Sequence, residues 1–184
     1  MTDNAKKSGF RGRSFARMIA FQIICGHEYN PGGLTPLDDD YIRTKFRELE
    51  TGGKSEGDDD ALLADDALPK GKISEREAAL WADFARRLIH TALTKRAEID
   101  RRLTAASQNW RLERMSLTDR NILRMAVAEI DLGTPEAVVI NEAIELGKKF
   151  GRDAESPKFI NGVLGKVIRG KTYPTDASCE SQDI

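Results

Sequence analysis

The sequence predicts an all-α protein, a compact bundle of about six or seven helices, and three observations carry that prediction. Apolar residues recur at three- and four-residue spacing along most of the chain, and no segment sustains the alternation of a half-buried strand. The periodic runs are bracketed by helix punctuation, with Ser or Pro ahead and Gly behind. At 184 residues the chain suits one domain with its own core plus tails.

Residues 1–12 are polar and glycine-containing, and are expected to form a flexible basic arm. Helical spacing begins at Arg13, where Phe15, Met18, Ile19 and Ile23 share a face, and stops at Gly26 and the NPGG of 30–33. A second helix follows Pro36 through Leu37, Tyr41, Ile42, Phe46 and Leu49. Residues 51–72 are glycine-rich and acidic, and read as a disordered insertion.

Ser74 and Glu77 form a capping box that opens a long helix burying Leu80, Trp81, Phe84, Leu88 and Ile89, with a bend or break near Thr94. Ser116 and Asp119 read as a second capping box, before a helix through Ile122, Leu123, Ala126 and Ile130 that Gly133 and Pro135 end. Asn141 to Phe150 forms the next helix, with a Glu145–Lys149 pair one turn apart and Gly151 as its cap. The last helix is SPKFINGVLGKVIR, residues 156–169, with Ser156 as cap and Pro157 in the first helical position. Each interior glycine of this helix, Gly162 and Gly165, costs roughly 0.5–1 kcal/mol against alanine, which points to close approach of a neighbouring helix. The domain is expected to span 13–170, with 171–184 a polar disordered tail.

Twenty-nine Lys and Arg balance thirty Asp and Glu, so net charge names no partner. The longest apolar runs are far shorter than the roughly 20 residues that cross a bilayer, and the chain reads as cytoplasmic with no membrane partner. Cys25 and Cys179 belong to no metal-ligand spacing, and read as structural thiols. Phosphate-loop, dinucleotide, GxSxG and HExxH patterns are missing, and His27 and His90 stand singly, so no catalytic residue, cofactor or metal is expected.

One charge cluster stands out. Lys6, Lys7, Arg11, Arg13 and Arg17 fall within the first seventeen residues, interleaved with Phe10 and Phe15 and opposed only by Asp3. Cations at a helix amino terminus oppose its macrodipole. They gain from a bound polyanion, and single-stranded RNA suits such an arm; a solubilising tail is the other reading.

The run VVINEAIELGKKFG, then SPKFINGVLGKVIR, with DRNILRMAVAEI before them and FARMIAFQI near the amino terminus, resembles the NusB family of transcription antitermination factors. The resemblance covers residues 11–30 and 73–169. It implies an all-helical fold of two packed subdomains and a non-enzymatic protein that binds the boxA element of nascent ribosomal RNA with NusE, within the RNA polymerase antitermination complex. It places Arg13 and Arg17 on the RNA, with Lys6, Lys7 and Arg11 as extensions, and Lys158 and Phe159 as a phosphate contact and a base-stacking ring. Phe159 also fits the apolar stripe of its own helix. Asp119 occupies an acidic position that the family turns toward NusE, and capping is a sufficient role for it without a partner. Cys25 stands where many members carry a tyrosine, and Glu155 where an aspartate is usual. Two other readings are a helical interaction module, with or without homodimerisation, and a NusB-like fragment of a ribosomal RNA methyltransferase.

Overall fold

The computed structural model describes residues 3–28, 35–51, 73–107 and 111–170. They form seven α-helices: α1 (Asp3–Gly26), α2 (Pro36–Thr51), α3 (Glu75–Thr94), α4 (Arg96–Ala106), α5 (Leu117–Asp131), α6 (Glu136–Phe150) and α7 (Ser156–Arg169), with a 3-10 turn at Leu112–Arg114. No strand occurs among the described residues. The all-α prediction holds. Of the insertion expected at 51–72, Thr51 ends α2, while residues 52–72 and the tail at 171–184 lie outside the described residues.

Helix α3 packs against α1 and α2, while α4, α6 and α7 gather around α5, which also touches α1 and α3. One core therefore runs through both groups. Helix α5 is its axis: every residue from Asn121 to Ile130 is buried, including Arg124 and Glu129. A helix buried all round has no polar face, so each charged group on it needs a partner inside the protein.

Local chemistry sets most helix ends. Ser74 and Glu77 make the expected reciprocal capping box at α3, and the long helix breaks at Lys95, next to the expected Thr94. Gly133 closes α5 with a φ of +86°, the left-handed conformation that favours glycine.

Four expectations are corrected. Helix α1 starts at Asp3 rather than Arg13, so residues 3–12 continue the first helix. Within that helix Gly12 sits buried against the Trp81 indole, and a Cβ there would meet ring atoms at 2.0–2.3 Å. Helix α6 begins at Glu136, five residues before Asn141, since Pro135 starts it without a side-chain cap. Glu155, not Ser156, is the residue ahead of α7, and the buried Ser156 hydroxyl instead accepts from the Asp153 amide at 3.3 Å.

The fourth concerns the glycines of α7. Gly162 has open space where a Cβ would stand, and Gly165 meets only the Arg169 side chain of its own helix, at 3.5 Å. Close approach occurs at Gly147 of α6 instead, where a Cβ would lie 2.7 Å from Ile160 Cδ1.

Candidate nucleic-acid interface

Arg17 is the first sequence-selected residue to be relocated. It lies in the middle of α1, only 2% exposed, with Nε donating to Glu129 Oε2 at 2.8 Å and Nη2 to Glu129 Oε1 at 2.5 Å. Its Nη1 lies 3.2 Å from Glu142 Oε2, and Ser14 Oγ donates to Glu142 Oε1 at 3.0 Å. Burial pushes the Glu142 carboxyl above the usual range, aided by Glu129 and Glu145 and opposed by Arg17 and Ser14. All three guanidinium nitrogens face carboxylates inside the protein and the side chain is almost fully buried, so Arg17 is not on a surface that RNA can reach. The sequence placed it by charge and family position; the packing of α1 on α5 and α6 turned it inward.

Arg13, one turn earlier, is exposed, and its guanidinium lies over the Phe84 ring at 5.5 Å from the centroid. Lys6, Lys7 and Arg11 ride on the first turns of α1, and their side chains lie outside the described set. Lys158 projects from the first turn of α7 with its side chain 85% exposed, facing Glu155 at 3.7 Å. An exposed pair at that distance holds the ammonium weakly, leaving it available to another anion. Phe159 is half-buried, its ring shared between the core and the surface. Packing and surface exposure thus coexist in one side chain.

The same turn borders a cleft open to solvent between the start of α5 and the start of α7. Its walls include Arg114, Ser116, Asp119, Arg152, Ser156 and Phe159. Asp119 is 7% exposed and its Oδ1 has no hydrogen-bond partner among the described residues. Its backbone amide donates to Ser116 Oγ at 3.0 Å, but the return bond of a capping box is missing among the described residues, so the second box is corrected to a single cap. A buried oxygen left in this state costs ~1–3 kcal/mol. Arg114 and Arg152 are exposed on the rim, and neither makes an ion pair among the described residues. Sequence reading passed over both. The signal available was an arginine within four residues ahead of each helix start, in RMS and in GRDAES.

Helix α6 joins the two surfaces. Phe150 at its end packs on Phe21 of α1 with ring centroids 5.2 Å apart, and α7 begins six residues later. The expected Glu145–Lys149 pair is not formed: Lys148 takes Glu145 at 2.6 Å, while Lys149 lies over Phe150 at 5.3 Å and 3.5 Å from Met18 Sδ.

A second, partly buried ion network ties the end of α1 to α4 and α5. Glu28, just past α1, receives Arg124, Arg96 (2.7 Å) and Arg120 (3.3 Å). Arg124 also forks onto Asp100 at 2.7 and 2.9 Å. Burial acts to raise the Glu28 carboxyl, but the three arginines outweigh it and hold the group below the usual range. Cys25 lies nearby, with Asn121 Nδ2 at 3.6 Å from Sγ; burial pushes its thiol up to about 11, an unreactive structural thiol. His27 is buried against Asp38 at 3.1 Å, an inter-helix tie rather than a base.

The sequence profile of the NusB family matches residues 44–169, more than half of the chain. The chain belongs to the NusB family. It is similar to the transcription antitermination protein NusB of Geobacter sulfurreducens, at 47% identity over 157 residues that cover 84% of this chain and 92% of that one. The NusB of Symbiobacterium thermophilum is 50% identical over 91 residues, 48% of this chain and 59% of that protein. Among solved structures, T. maritima NusB aligns with a TM-score of 0.57 at 25% identity, covering 86% of this chain and 91% of the other. The NusB profile starts within α2, so the clamp residues Glu129 and Glu142 fall inside it and Arg17 before it.

Proposed function

We propose that this NusB family member is a transcription antitermination factor that binds the boxA element of nascent ribosomal RNA together with NusE, in the cytoplasm and without enzymatic activity. The observation that carries the reading is the turn Ser156–Phe159. There an exposed ammonium and a half-buried ring stand side by side on a rigid helix, at the family's lysine-phenylalanine position. That pairing suits a single strand, in which phosphates seek cations and unstacked bases seek aromatic faces. Arg13, and the basic residues Lys6, Lys7 and Arg11 that precede it, extend the surface along α1. Relatives sharing 47–50% identity carry the name transcription antitermination protein. NusE is expected on the acidic side of the cleft, and RNA polymerase through the assembled pair.

Fluorescence anisotropy of labelled boxA RNA against a scrambled RNA of equal length, with NusE present throughout, tests the reading. Preference for boxA beyond that of NusE alone is the expected result. Equal binding to both sequences, or none, overturns it.

A further inference from the structure

We infer that the bound RNA strand runs on from the first turn of α7 over the end of α6 to the seam between α6 and α1, where the Lys149 ammonium holds one of its phosphates. The inference rests on the RNA-binding reading above and goes beyond it by assigning a further contact residue and the path of the strand. Lys149 is exposed at the end of α6 and makes no ion pair among the described residues. The two carboxylates that precede it by one and two turns are spent on other donors: Lys148 takes Glu145 at 2.6 Å, and Arg17 and Ser14 hold Glu142. A cation left in this way is completed by an anion from outside.

The ammonium is also held in place. Its Nζ lies over the Phe150 ring, 5.3 Å from the centroid, and 3.5 Å from Met18 Sδ, so an aromatic face and a thioether keep it against α1. Burial pulls the group below its ordinary pKa, and the partial loss of water strengthens its attraction for an anion. Phe150 links this seam to the start of α7, since its ring packs on Phe21 and Ser156 follows six residues later. On α1, Gln22 comes four residues after Met18 and shares its face. Gln22 Oε1 accepts from the Tyr41 hydroxyl at 3.1 Å, and the Gln22 amide nitrogen has no partner among the described residues, so it offers a second donor one turn from the ammonium. A phosphate, with several acceptor oxygens and a negative charge, suits such a pair of donors.

Lysine footprinting tests the inference on the unaltered full chain. The protein is treated with an acetylating reagent alone, with NusE, and with NusE and boxA RNA, and labelling of Lys149 and Lys158 is read by mass spectrometry. RNA is expected to protect both lysines beyond the protection that NusE gives. In a second measurement, Lys149→Gln is expected to make the slope of log affinity for boxA against log salt shallower by about 0.7, and Lys149→Arg to restore it. Lys148→Gln, which removes a charge already paired with Glu145, is expected to leave the slope unchanged. Protection of Lys158 without protection of Lys149 overturns the inference and keeps the functional reading. Protection of Lys149 by NusE alone assigns the seam to the protein partner and likewise overturns it. So does a Lys149→Gln variant whose melting temperature falls while its slope stays, because packing on Phe150 and Met18 is then its whole role, and so does an equal slope change in Lys148→Gln, which marks a general loss of charge. Equal binding of boxA and scrambled RNA, with neither lysine protected, overturns the functional reading itself.

Discussion

Arg17 of α1 grips Glu129 of α5 through both carboxylate oxygens, at 2.8 and 2.5 Å, with both side chains 2% exposed. Glu142 of α6 completes the clamp at 3.2 Å. Three helices are therefore fixed by one guanidinium, and its removal strands two carboxylates in the core. Arg17→Ala is expected to lower stability by ~3–5 kcal/mol, read as a fall in the urea midpoint. Arg17→Lys keeps the charge but loses the fork, and is expected to fall between the two.

Burial of Arg17 also separates it from Arg13 in an RNA experiment. Each phosphate neutralised on a single strand contributes about −0.7 to the slope of log affinity against log salt. Arg13→Ala is expected to make the slope shallower by about that amount. Arg17→Lys, measured on folded protein, is expected to leave it unchanged, because the side chain touches no phosphate. A slope change in Arg17→Lys equal to that in Arg13→Ala contradicts the buried clamp.

Two glycine substitutions are expected to act in opposite directions. Gly12→Ala places a methyl 2.0 Å from the Trp81 indole, and overpacking of this kind costs ~1–3 kcal/mol. Gly162→Ala meets nothing within 4 Å and gains the helix propensity of alanine, about 0.5–1 kcal/mol. Thermal melts of the two variants without RNA check both signs.

Glu28 and Glu142 are expected to give opposite pH dependence. The arginines hold Glu28 below the usual carboxylate range, so its contribution is present above that range and is lost as pH falls through the lowered folded value. Glu28→Gln is therefore expected to destabilise most at neutral pH and least in acid. Glu142 is held above the usual range, so its contribution is complete below the unfolded value and is lost as pH rises through the folded one. The cost of Glu142→Gln is expected to shrink toward neutral pH. Urea midpoints of both variants across an acid-to-neutral series give the two slopes.

Helix identity was legible because it rests on local terms. The capping box at Ser74, the break next to Thr94, the stop at Gly133 and the apolar stripe of α7 all depend on residues within one or two turns of each other. The exposed Lys158 and half-buried Phe159 were legible for the same reason, since the first turn of a helix fixes which side chains share its surface. The family, too, could be read from consecutive motifs.

What stayed hidden depends on contacts between residues far apart in the chain. Arg17 and Glu129 are separated by 112 positions and Glu28 and Arg124 by 96, and no helical period relates them. A charge on a helix looks alike in sequence whether it faces solvent or a buried partner; only the packing of α1 and α5 decided that Arg17 turns inward while Arg13 stays out. The glycines divide in the same way. Composition showed which positions lack a side chain, and only the placement of Trp81 and Ile160 decided that Gly12 and Gly147, rather than Gly162 and Gly165, are where the missing atoms matter.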